Sequence, residues 1–170
     1  MSRTGDKAGA KDAFKQGLRH GRHPQLLGSL GRALSQEWQF REARILLEEA
    51  ILLEPEHEAA LIDLGNLHLQ ERDFPAAISR YQEALAINPF SEVAHNHLGV
   101  AYASSQKIQL AEESFRTAIK LHLDYQGAYF NLDVNLMFQG QLTEAAEAFE
   151  RTIQFKPGLA ADHEQPRPHL

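Results

Sequence analysis

EAALIDLGNLHLQERDFPAAISRYQEALAINP, residues 58–89, is the stretch that decides the fold. Leu61, Leu64, Leu67 and His68 recur at three- and four-residue spacing; Gln70 to Asp73 breaks the pattern, and Phe74, Ala77, Ile78, Tyr81 and Leu85 resume it. Apolar residues at that spacing line one face of a helix, so the stretch predicts two short amphipathic helices, the second ended by Pro89. Neither helix buries its stripe alone, and the unit needs neighbours.

Steps of 34 residues along the chain find them. Leu64 falls on Leu30, Leu98 and Leu132, Gly65 on Gly31 and Gly99, and Ala77 on Ala43, Ala111 and Ala145. Tyr81 falls on Leu47, Phe115 and Phe149, Ala84 on Ala50 and Ala118, and Pro89 on Pro55 and Pro157. With Leu near one residue in ten, four coincident leucines alone would arise roughly once in ten thousand trials. The chain is a tandem array.

These residues resemble the tetratricopeptide repeat, whose pattern of large-x2-Leu-Gly-x2-aromatic, then Ala-x3-Phe, then Pro has this period. The resemblance covers four units, 24–57, 58–91, 92–125 and 126–159. It implies an all-α, right-handed superhelical solenoid of antiparallel helix pairs and leaves the molecular task open.

Composition fits one domain of 170 residues with a continuous core, 43% hydrophobic and 24% charged. The net charge of -6 is unevenly placed: residues 1–23 carry six Lys/Arg against Asp6 and Asp12, whereas the four repeats carry ten Lys/Arg against nineteen Asp/Glu. There is no cysteine, so disulfide and thiolate chemistry are excluded. No apolar run approaches the ~20 residues of a membrane helix, and the N-terminus lacks the apolar core of a secretory signal. A cytoplasmic location and no membrane partner are the expectations that follow.

Residues 1–10 are small, polar and basic and read as a disordered arm. Residues 11–22 read as a capping helix or half-repeat, because Ala10, Phe14 and Gly17 imitate the second half of a repeat. The alternative is a basic arm for an acidic partner, with nucleic acid not favoured. In the first repeat the helices are expected near Gln25–Gln36 and Phe40–Leu53, with Trp38 at the turn covering the ends of both rather than stacking on a ligand. Asp73 supplies a helix cap ahead of Pro75. Leu123 stands where other repeats have proline, so the third repeat's second helix is expected to run on towards Asp124. Asp133 replaces the small Gly, and Asn135 and Thr152 are polar where small residues are usual, so the fourth unit is expected to pack loosely. Pro166 ends the array at Leu159, and 160–170 reads as a disordered tail. Phe149, Ile153 and Phe155 would then stand bare, a surface for self-association, unless the tail folds back over them.

The chain has no Gly-rich phosphate loop, Gly-x-Ser-x-Gly elbow or His-Glu-x-x-His, and an enzymatic reading finds no catalytic residues and no cofactor. His95 and His97 point to different faces of a helix, and His20 with His23 lacks a third ligand, so no metal site is expected.

What remains is a surface. In the family that the chain resembles, the first helix of each repeat lines a concave face, and the matching positions here include Arg32, Asp63, Asn66, Asn96, His97, Val100, Phe130, Asn131, Val134 and Met137. The lining runs from polar to apolar along the chain. Asn66, Asn96 and Asn131 are expected to hydrogen-bond a peptide backbone, while Phe130 and Met137 are equally candidates for core. Family members that hold a chaperone's C-terminal carboxylate do so with Lys, Asn and Arg; here Asp63 would repel it and His97 supplies no fixed charge. The expected function is a scaffold or adaptor that binds a protein or peptide partner in the groove, the alternative being a homo-oligomer built through the C-terminal repeat.

Overall fold

The computed structural model describes residues 21–140, which contain seven α-helices. In chain order these are α1 (Pro24–Gln36), α2 (Phe40–Leu53), α3 (Glu58–Gln70), α4 (Phe74–Ile87), α5 (Glu92–Ser104), α6 (Ile108–Leu121) and α7 (Gln126–Phe138). The fourth repeat is described through its first helix. The arm, the tail and the group Phe149, Ile153 and Phe155 lie outside the described residues, as do Thr152 and nearly all of the capping segment. The architecture is an all-α solenoid of antiparallel helix pairs, and the described residues fall into two compact units divided between Phe90 and Ser91.

In the first unit α1 pairs with α2 and α3 with α4, and α3 packs back on both helices of the preceding pair. Leu27, Leu30 and Leu34 of α1, Ala43, Leu47 and Ala50 of α2, and Ala60, Leu64 and Leu67 of α3 form one core. Each fully buried leucine of this set contributes roughly 1.5–3 kcal/mol. In the second unit α5 pairs with α6, and α7 packs on both; Ala111, Phe115, Leu132 and Leu136 make the core.

Local chemistry sets the helix starts. The Asp73 carboxylate accepts from the Ala76 amide at 3.2 Å, with Pro75 in the first turn of α4. The Ser91 hydroxyl does the same for Ala94 at 3.4 Å ahead of α5. The turn inside each repeat has a shared backbone solution: Trp38, Arg72, Gln106 and Gly140 stand 34 residues apart, and all have φ between 62° and 74°. Three of the four are side chains that the left-handed region disfavours.

Helix pairing is close because of one position. A Cβ added to Gly31, Gly65 or Gly99 would stand 2.7 Å from Leu47, 2.6 Å from Tyr81 or 2.5 Å from Phe115. In α7 this position is Asp133, whose side chain is buried; burial pushes its carboxyl above the ordinary range. Asn135, also buried, donates to the Ile108 carbonyl at 3.2 Å, and its Oδ1 has no partner. The polar substitutions are thus absorbed at some electrostatic expense in this last described helix.

Two expectations are corrected. The third repeat's second helix does not run on: α6 ends at Leu121, in register with Leu53 and Ile87, although Leu123 is no proline. His122 adopts extended backbone there, its amide still bonds the Ala118 carbonyl, and its ring stacks on Tyr125 at 6.0 Å. Trp38 does not cover the helix ends. It is 79% exposed, and its ring meets Phe40 at 5.6 Å in a tilted contact, because the left-handed backbone carries it outward.

Candidate functional site

In the second unit α5 and α7 are first helices of successive repeats, and both contact α6. Together they enclose a cavity of about 290 Å³. Val100, Ala103 and Ser104 of α5 form one wall, Phe130, Asn131, Val134, Asn135 and Phe138 of α7 another, and Ile108 and Phe115 of α6 complete it. No charged side chain lines it. Phe130 is 54% exposed and Phe138 82%, so the wall on α7 is open to solvent.

The amides beside this cavity form a chain. Asn131 donates to Asn96 Oδ1 at 2.9 Å, and Asn96 donates to the Tyr125 hydroxyl at 3.3 Å. Asn96 is buried, and both ends of its amide are used within the protein. This corrects the expectation that Asn96 meets a peptide: its role here is to tie α5 to the start of α7. Burial pushes the Tyr125 phenol up, against the opposing effect of Asn96. His97 is half-buried, and burial lowers its pKa. That burial disfavours the imidazolium and so works against His97 acting as a fixed cation.

In the first unit the Arg32 guanidinium donates to Asp63 Oδ2 at 2.7 Å, joining α1 to α3. Burial nevertheless holds the Asp63 carboxyl above the ordinary range, outweighing Arg32, which acts in the opposite sense. Asp63 is thus ion-paired with Arg32 within the chain, at a cost of burial that the pair does not fully offset. Asn66 accepts from the Tyr81 hydroxyl at 2.8 Å, so part of its amide is committed to α4. Burial, then Asp63, pushes the Tyr81 phenol well above its usual range.

Of the residues picked from the sequence, the structure gathers Val100, Phe130, Asn131 and Val134 around one cavity. Met137, 57% exposed, is not among its lining, and neither it nor Phe130 is core. Arg32, Asp63 and Asn66 belong to the first unit. Sequence reasoning missed Ile108 and Phe115, because only first helices were assigned to the face, and Asn135, which was read as a packing position. The signal lay in their places: Phe115 is the large residue opposite Gly99, and Ile108 opens α6.

Among the described residues no three His, Asp or Glu side chains gather in a way that would hold a metal ion, and no helix is long and apolar enough to cross a membrane.

The family model described as "Tetratricopeptide repeat" matches residues 29–92 and 96–160. Among solved structures, a crystal structure of MamA aligns with a TM-score of 0.78 and 24% identity, over 92% of this chain and 92% of that one. MamA from residue 41 to its end, from Desulfovibrio magneticus RS-1, aligns with a TM-score of 0.77 and 21% identity, over 96% and 90%. YrrB, described as "a TPR protein with an unusual peptide-binding site", gives 0.71 and 17%, over 93% and 84%. These likenesses speak to fold. No curated protein sequence matches the chain. Period, helix pairing and the family match agree, and the chain belongs to the tetratricopeptide repeat family.

Proposed function

We propose that this protein is a non-catalytic interaction scaffold that holds an apolar peptide or helix of a partner protein on the α5–α7 face. The observation that carries the reading is the uncharged cavity between Val100, Phe130, Val134 and Phe138, open on one side and of the size of a bulky side chain or two. A partner's apolar side chain entering it would remove Phe130 and Phe138 from water as well, and that burial supplies most of the affinity. Asn131 uses its Nδ2 on Asn96, which leaves its Oδ1 as the acceptor for a partner's N–H. The lack of fixed positive charge in this lining speaks against a C-terminal carboxylate as the ligand. YrrB, a structural neighbour, is described as having a peptide-binding site, which supports the class of ligand.

The test is a cross-linking capture from native extract with wild type beside Val134→Glu and Phe130→Glu, followed by titration of the captured segment as a synthetic peptide. Loss of binding by at least about tenfold in variants that keep the wild-type melting curve is expected. If both variants bind the peptide as wild type does, the cavity is not the site.

A further inference from the structure

The second helix of the first repeat differs from its counterparts on the side away from the core. Ala43, Leu47 and Ala50 face inward on α2, and at 100° per residue Ile45 and Leu52 stand on the opposite face, about 10.5 Å apart along the axis. Ile45 is 61% exposed and Leu52 80%, and the exposed Trp38 stands in the turn just ahead of the helix, with its ring against Phe40. One repeat later these positions are Arg72, Ser79 and Ala86, and two repeats later Gln106, Glu113 and Lys120. Small or polar residues are the ordinary choice for a solvated helix face, so Ile45 and Leu52 on one face of α2, with an exposed Trp38 in the turn ahead of it, are apolar surface that solvent alone does not explain.

The charges beside the patch indicate what covers it. Arg41 and Glu48, seven residues apart, lie on one flank of the Ile45 and Leu52 stripe. If a second α2 is laid antiparallel on the first about a two-fold axis at Ile45, equal flanks meet. Arg41 then opposes Glu48 of the second copy, twice over, Ile45 meets its own copy, and Leu52 at each end comes level with the turn that carries the other copy's Trp38. The other flank carries Glu42 and Glu49; Glu49 is already paired with Arg22, which limits the repulsion there.

We propose that this face of α2 is a contact between two copies of the chain, paired antiparallel with Arg41 against Glu48. A tryptophan buries about 150–250 Å², and with two aliphatic side chains per copy the contact lies at the low end of interface sizes. The dimer is therefore reversible and concentration-dependent. It uses a surface on the first unit and is independent of the cavity on the second.

Sedimentation velocity on the full chain, from low to high micromolar concentration, tests this together with Trp38 emission, which reports from the protein's one tryptophan. Wild type is expected to move from 19.1 kDa towards twice that mass, with the emission shifting to the blue. Arg41→Glu and Glu48→Arg, both exposed substitutions, are each expected to weaken self-association by at least about tenfold. Mixed in equal amounts they place opposite charges together again, and dimers with blue-shifted emission return. Ile45→Glu is expected to be monomeric. A wild type that stays monomeric at the highest concentration overturns the proposal. So do single reversals that associate as wild type does, or a mixture that stays monomeric.

Discussion

Asn131 on α7 donates its side-chain amide to Asn96 on α5 at 2.9 Å, and this bond ties two successive first helices through a buried Asn96 and a half-buried Asn131. Removing Asn131 strands the buried Asn96 Oδ1 away from water, and removing Asn96 takes away the partner of both Asn131 and the Tyr125 hydroxyl. Asn96→Ala is expected to cost about 1–3 kcal/mol in urea unfolding, and Asn131→Ala, which orphans Asn96 Oδ1, is expected to fall in the same range. The double variant should cost less than the sum of the two. Additive effects would mean that the pair does not act as a unit.

Gly99 and Phe115 stand too close for any added carbon, and Gly65 and Tyr81 nearly so. Gly99→Ala and Gly65→Ala are each expected to destabilise by about 1–3 kcal/mol, despite alanine's higher helix propensity. An increase in the urea midpoint for either would show that the helix pair separates at little cost.

Asp133 gives a pH signature. Its carboxyl titrates above the ordinary value in the folded chain because it is buried, so the folded state holds the proton more tightly than the unfolded chain does. Its contribution to stability is present in acid and is lost as pH rises through the folded pKa. Asp133→Asn should remove this fall, so the stability of the variant relative to wild type should increase from about pH 4 to about pH 7. A difference that is constant across that range would place the carboxyl in water.

The left-handed turn residues make a further pair of tests. Gly140 has φ of 74°, and a Cβ built on it meets nothing within 4 Å, so the whole effect of Gly140→Ala is conformational. It is expected to destabilise by about 1–2 kcal/mol. Gln106→Gly, at φ of 62°, is expected to stabilise by up to about 1 kcal/mol, the gain reduced by glycine's greater freedom in the unfolded chain. Thermal melts of both variants decide it.

Much of the fold was legible because repeats report the same packing several times over. Leu30, Leu64, Leu98 and Leu132 are buried in every copy, and the period alone placed α1 and α2 to within a residue. The end of α6 was misread, since Leu123 gave no stop signal, while the stop is made by the extended backbone of His122. The cavity was legible in part. Periodicity puts Val100, Phe130 and Val134 on one face, but it does not say which polar atoms spend their hydrogen bonds internally. Asn96 looked like an open amide for that reason: its partners lie 29 and 35 residues away, and only the packed chain brings them into reach.

The recurring left-handed residue also bears on how the array comes apart. In a solenoid each repeat has its own intrinsic stability, coupled only to its neighbours, so unfolding begins where the local term is weakest. Trp38, Arg72 and Gln106 each hold a backbone angle that glycine would hold without strain, and none of them belongs to the buried core. At Arg72 and Gln106, which lie in neither proposed contact, the identity of the turn residue therefore adjusts the repeat's tendency to fray without altering the faces that meet a partner. The corners are thus a place where the array's resistance to fraying can be tuned one repeat at a time.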